Sequence, residues 1–75
     1  MIIVAIEDRL VGFNQPRAVK TEAEAIRDFK ALCETSPIRK DFILWKLGEY
    51  NEKTGEITPC KPDVLEKGEN YADSN

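Results

Sequence analysis

The sequence predicts an α+β domain, a two-layer β-α-β-β sandwich in which one helix packs on a small mixed sheet that ends in a C-terminal hairpin. Three observations support this prediction. The chain opens on a β-branched apolar run, MIIVAI, which is typical of a strand. A single amphipathic helical segment follows. After it, an apolar stretch is interrupted by the turn-forming residues NEKTG and resumes as EITPC, which is the pattern of a hairpin.

The length of the chain limits the core that it can build. Its 75 residues fit one domain, and a core of this size supplies only about 3 to 5 kcal/mol without disulfides, a metal or a partner subunit. We therefore expect a homo-oligomer, most simply a dimer. We assign residues 1–60 to the domain and residues 61–75 to an acidic, loosely held C-terminal tail, because the tail lacks helical and strand periodicity. Within this tail, Val64, Leu65 and Tyr71 are apolar enough that they could dock on the domain.

The first predicted strand runs from Met1 to Ile6, and its nearly unbroken apolar run indicates burial on both faces. The charged residues Glu7 and Asp8 should end it. The segment that follows, through FNQPR, is predicted to be a loop that can contain a short strand, because Pro16 disfavours helix at the residue before it.

The helix has the clearest local signal in the sequence. Thr21 is in the N-cap position and Glu24 lies three residues later, which is the spacing of a capping box. Apolar residues recur three or four positions apart and form one face of the helix: Ala23, Ile26, Phe29 and Cys33. The helix should end near Glu34, since Pro37 cannot continue its hydrogen bonds.

The second strand is predicted at Phe42–Tyr50, and its first half is apolar at both odd and even positions. A right-handed crossover would place it parallel to the first strand. One helix can cover only one face of the sheet, so the other face should stay open. The candidate oligomer interface on that face is the odd set, with the even set as the alternative parity: Ile43, Trp45 and Leu47.

Composition excludes several function classes. The chain contains no histidine, and its two cysteines, Cys33 and Cys60, lie far apart, so we predict no metal site and no cofactor. It has no glycine-rich phosphate loop and no recognisable nucleophile and base, so we predict no catalytic residues and no enzymatic activity. The opening apolar run has no basic segment before it, which predicts neither a signal peptide nor a membrane span, and thus a cytoplasmic protein.

Charge is distributed unevenly. The net charge is −3, and residues 47–75 carry three Lys or Arg against seven Asp or Glu, which argues against strong sequence-independent DNA binding by a monomer. Basic residues are nevertheless concentrated between positions 17 and 46, where Trp45 could stack on an unpaired base. The candidate nucleic-acid-binding residues are Arg17, Lys20, Arg27, Lys30, Arg39, Lys40 and Lys46. The alternative is that several of them form surface ion pairs on the helix.

The order of several segments resembles one viral family. FNQP follows a strand ending in EDR, EAIRDFKAL lies on the helix, and DFILWKLGEYNEKTG spans the second strand and its turn. Together these segments resemble the small nonstructural protein of gokushoviruses, single-stranded DNA phages of the Microviridae, over roughly residues 1–58. Where that family has PFF after the loop, this chain has Pro16, Arg17 and Ala18.

The resemblance implies a non-capsid protein of the host bacterial cytoplasm that acts when phage replication turns to single-stranded DNA synthesis. Two hypotheses follow from it. The first is a non-enzymatic replication factor that contacts single-stranded DNA or the replication machinery. The second is a protein-interaction module that binds a host or phage protein through the open sheet face or an edge strand, without contact to DNA.

Overall fold

The computed structural model describes residues 1–71. One helix packs on a five-stranded antiparallel sheet, which confirms the predicted α+β class and the C-terminal hairpin. The elements are β1 (Ile2–Asp8), β2 (Gly12–Phe13), β3 (Arg17–Val19), α1 (Glu22–Thr35), β4 (Phe42–Tyr50) and β5 (Ile57–Lys67), with 3-10 turns at Arg39–Asp41 and Gly68–Tyr71.

The strand order is β2-β1-β4-β5, with β3 also paired to β1, and every pairing is antiparallel. The prediction of a mixed sheet, with the first two long strands parallel, is therefore wrong. The prediction fails because of β3, a short strand in the segment that was predicted to be mainly a loop. Because β3 returns antiparallel to β1, the crossover through α1 joins β3 to β4, and these parallel strands lie on opposite sides of β1.

The helix begins as predicted. The Glu24 amide donates to Thr21 Oγ1 at 3.1 Å, and Glu24 Oε1 accepts from the Lys20 amide at 3.4 Å. The second bond reaches Lys20 rather than the Thr21 amide that a capping box would use. The helix ends at Thr35, one residue beyond the prediction, and the Ser36 amide caps it by donating to the Cys33 carbonyl.

The core lies between α1 and one face of the sheet. Val4 and Leu44 are buried beneath the helix, where they pack with Phe29 and Cys33. Cross-strand partners share a face of the sheet, so Val4, Leu44 and their register neighbours define the face that the helix covers. We call this the covered face, and the opposite side the open face.

The hairpin forms at the predicted turn. The Gly55 amide donates to the Asn51 carbonyl at 2.7 Å, and Gly55 has a φ of 80°, in the left-handed region that suits glycine. The third predicted strand, however, was expected to end at Cys60, whereas β5 continues to Lys67. The expectation of a loosely held tail from residue 61 is thus wrong for residues 61–67, which continue β5 alongside β4.

A compact turn follows β5. Tyr71 packs its ring against Phe29, with centroids 6.4 Å apart, and its hydroxyl donates to Glu66 Oε2 at 3.0 Å. Gly68 is buried against the Arg39–Asp41 turn. Residues 61–71 therefore belong to the folded domain, and the rest of the predicted tail, residues 72–75, lies outside the described residues.

Candidate functional site

The open face is the side of the sheet that the helix leaves without cover. It can be mapped from the strand register, because directly paired residues point to the same side of the sheet. From one end to the other, its transverse rows are Phe13, Glu7, Ile43 and Lys67; then Ala5, Trp45 and Val64; then Ala18, Ile3, Gly48 and Pro59; then Tyr50 and Ile57. Only the first row carries charged side chains, Glu7 and Lys67.

Trp45 occupies the middle of the open face. Its indole Nε1 donates to Glu7 Oε1 at 3.0 Å, and its ring lies 6.2 Å from that of Phe13 between centroids. Trp45 is half-buried, whereas Phe13 is 52% exposed. The indole donor is thus satisfied within the chain, while the ring stays available to a partner.

The predicted interface residues divide into two groups. Ile43 and Trp45 lie on the open face, which confirms the odd parity for the first half of β4. Leu47 lies in a β-bulge, where β1 skips from pairing with Lys46 to pairing with Gly48. The bulge shifts the parity of the strand, and Tyr50 therefore joins Ile3 and Ile57 around a shallow cavity on the open face.

Sequence reasoning missed Phe13 and Glu7 as members of this surface. Glu7 was expected to end the first strand, but it lies inside β1 and pairs with Phe13 of β2. The signal that could have placed them is the alternation of Ile3, Ala5 and Glu7, which puts all three on one side of a strand.

The predicted basic residues do not form one surface with the aromatic side chains. Arg17 contacts Asp28 at 3.1 Å, and Arg27 contacts the same carboxylate at 3.6 Å. Lys46 points to the covered side of the sheet, where its Nζ lies 3.9 Å from Glu22 Oε2. These three cations are therefore partly neutralised and belong to the layer that contains the helix.

The other four basic candidates have different positions. Lys20 immediately precedes the helix cap and Lys30 is exposed on the helix. Arg39 donates to the Cys33 carbonyl at 3.3 Å, which ties it to the helix C-terminus. Lys40 lies near the open face, since it lines a cavity of about 260 Å³ at the end of the sheet together with Arg9, Ile43, Lys67 and Glu69. Arg17, although paired with Asp28, also lines the shallow cavity around Tyr50.

Three of the described side chains have shifted pKa values, and each shift is explained by burial or by hydrogen bonds within the fold. Burial raises the pKa of the Cys33 thiol, and Cys60 is exposed with a free thiol. Burial and the hydrogen bond to Glu66 raise the pKa of Tyr71 to about 12, while the Lys67 amide lowers the pKa of Glu66. Within residues 1–71, no group of three or more His, Cys, Asp or Glu side chains is placed to hold a metal ion.

In the described part of the chain, no helix is long and apolar enough to cross a membrane. No curated protein and no solved structure matches the sequence. One family model does match, over residues 1–71, and it is described as the phage ORF5 protein. The match covers the whole sheet, the helix and the C-terminal turn, and the chain therefore belongs to the phage ORF5 protein family.

Proposed function

We propose that this phage protein is a non-enzymatic DNA replication factor that acts by protein contact through its open sheet face. In this proposal it is the small nonstructural protein of a microvirus, present in the host cytoplasm when single-stranded DNA is made. The family match supports the phage setting, and the sequence resemblance supports the replication stage.

The observation that carries the proposal is the chemistry of the open face. Three aromatic side chains lie on it, Phe13, Trp45 and Tyr50, among aliphatic residues and with a single Lys and a single Glu. Aromatic residues are enriched at the centres of protein interfaces, and charged residues are depleted there. A surface that bound DNA mainly through its phosphates would require many more cations.

Direct contact to single-stranded DNA is a second candidate, favoured by one arrangement. Trp45 and Phe13 present ring surfaces on a sheet, and the cavity lined by Arg9, Lys40 and Lys67 adjoins the same end of that face. Bases stack on such rings while cations hold the backbone. This candidate requires salt-dependent oligonucleotide binding that Trp45→Ala weakens.

Site-specific photocrosslinking in infected cells tests the proposal. A photoreactive amino acid at Val64, which is 38% exposed on the open face, should crosslink to a phage or host replication protein identified by mass spectrometry. The matched control is Lys30, exposed on the outer side of the helix, which should not capture that protein. Equal capture at both positions, or capture of capsid protein alone, would contradict the proposal.

The same experiment separates the two candidates. Crosslinks from Val64 to DNA instead of protein would favour direct contact. Fluorescence anisotropy with a labelled single-stranded oligonucleotide at low salt then locates the contact. Loss of binding in Trp45→Ala would place DNA on the open face, whereas loss only in Arg27→Glu and Lys30→Glu would place it on the helix layer.

A further inference from the structure

We infer that the occupant of the open face is a second copy of this chain, related by a two-fold axis that runs along β4 between the two sheets. The inference rests on the proposed role of the open face as a protein-docking surface, and it names the partner. An axis in this direction exchanges the two sides of each sheet, so β1 of one copy lies over β5 of the other.

The charged row of the open face is complementary to itself under this operation. Glu7 on β1 and Lys67 on β5 both flank Ile43, one strand away on either side. The two-fold axis therefore places Glu7 of each copy opposite Lys67 of the other, with the two Ile43 side chains in contact on the axis. Only one acid and one base lie in the mapped rows, and both find a partner of opposite charge.

The apolar rows pair small residues with larger ones on either side of the axis. In the next row, the Trp45 side chains of the two copies face each other on the axis, and Ala5 of one copy lies beneath Val64 of the other. In the row after the bulge, Ile3 lies opposite Pro59, and Gly48 between them leaves room on the axis. Alternation of large and small side chains is what two packed sheets need to interdigitate.

The overlapping area predicts a weak dimer. An axis along β4 brings three strands of each copy together, β1, β4 and β5, and leaves β2 and β3 outside. At about 4.8 Å per strand and about 3.3 Å for each of the nine residues of β4, the overlap covers roughly 430 Å² on each copy. The two faces together bury about 860 Å², which is in the range of weak or transient interfaces. A different protein could bury the same area, but its binding would not require the open face to be complementary to itself.

Sedimentation equilibrium of the full chain provides the first test. The expected mass is twice the 8.5 kDa of one chain. Lys67→Glu places two acidic pairs across the interface and should weaken dimerisation about tenfold or more, whereas Lys53→Glu, in the exposed hairpin loop, should leave it unchanged. Circular dichroism on both variants checks that the monomer remains folded.

Crosslinking tests the position of the axis. In a Cys60→Ser background, Ile43→Cys should be joined to its own copy by a flexible bismaleimide that reaches up to about 10 Å, because facing sheets lie about that distance apart and side chains that point at each other are closer still. Lys30→Cys on the outer helix surface should not be joined. A monomer at high micromolar concentration, or a dimer insensitive to Lys67→Glu and uncrosslinked at Ile43→Cys, would overturn the inference. The photocrosslinker at Val64 separates the two proposals. Capture of a second copy of this chain supports the dimer and contradicts docking of a replication protein on the open face, whereas capture of a replication protein alone contradicts the dimer and leaves the proposed function standing.

Discussion

The two faces of the sheet differ in what covers them. On the covered face, Val4 and Leu44 lie under Phe29 of the helix, and all three are about 1% exposed. On the open face, Phe13 is 52% and Ile57 is 65% exposed. The covered face is therefore used for folding. The open face is mainly apolar but has no second layer over it, which is why we assign it to association.

The sharpest test of this difference is to replace one phenylalanine on each side of the sheet with alanine. Phe29→Ala should cost about 3 to 5 kcal/mol of unfolding free energy, which would unfold a domain this small, because its ring is enclosed by the core. Phe13→Ala, at monomeric concentrations, should cost much less, since its ring contacts mainly Trp45. Urea denaturation compares them, and equal losses would show that the two faces are equally important for folding.

Gly68→Ala tests how the C-terminal turn closes the covered side. A Cβ at this position would overlap the Arg39 carbonyl oxygen, and backbone atoms cannot rotate away. We expect a loss of about 1 to 3 kcal/mol, the usual cost of overpacking. Gly12→Ala serves as a contrast, because nothing lies within 4 Å of an added Cβ there, although its φ of 129° adds strain of its own. A neutral Gly68→Ala would mean that residues 68–71 do not pack as described.

Thr21→Ala should destabilise the helix and leave the open face unchanged. It removes the hydroxyl that accepts the Glu24 amide at 3.1 Å, at a cost of about 0.5 to 2 kcal/mol. Thr21→Ser retains the acceptor and is the matched control. The urea midpoint should fall for the alanine variant alone, while the dimer dissociation constant measured well below that midpoint should not change.

The smallest expected effect is a loss of stability at alkaline pH. The pKa of Tyr71 is about 12 in the folded chain against an ordinary value of 10, so folding favours the neutral phenol. Its contribution is fully present below about pH 10 and is lost as the pH rises toward 12. In Tyr71→Phe the urea midpoint should change little with pH over this interval, whereas in Tyr50→Phe it should fall as it does in the unmodified chain. A steep decline that persists in Tyr71→Phe would exclude Tyr71 as its source.

Local signals predicted local structure well. The Thr21 cap, the helix and the Gly55 turn are confirmed because each depends on residues a few positions apart. Topology depends on long-range pairing. The three residues of β3, Arg17–Val19, carry almost no periodic signal, yet they reverse the chain and make the whole sheet antiparallel. A strand this short becomes recognisable only when its partner β1 is known.

The candidate site was predicted in part for the same reason. Alternation along β4 placed Ile43 and Trp45 together, but the bulge at Leu47 moved Tyr50 to their face. Gly48, a glycine inside the strand, is the sequence signal that could have indicated the bulge. The basic residues were grouped by their proximity in sequence. The fold directs Arg17 and Lys46 toward the helix, on the other side of the sheet from the aromatic side chains, whereas Lys40 lies near the open face. The side of the sheet to which a side chain points, rather than its position in the sequence, determines which residues share a surface.

The central claim is that the open face is covered by protein in solution, and Trp45 reports on it directly because it is the only tryptophan of the chain. Its fluorescence should be measured over a dilution series alongside the sedimentation mass. The account predicts the emission of a buried indole while the mass is that of a dimer, and a shift to longer wavelength as the mass falls to that of one chain. A monomer with solvated Trp45 emission at high micromolar concentration, or dissociation without any change in emission, would contradict it.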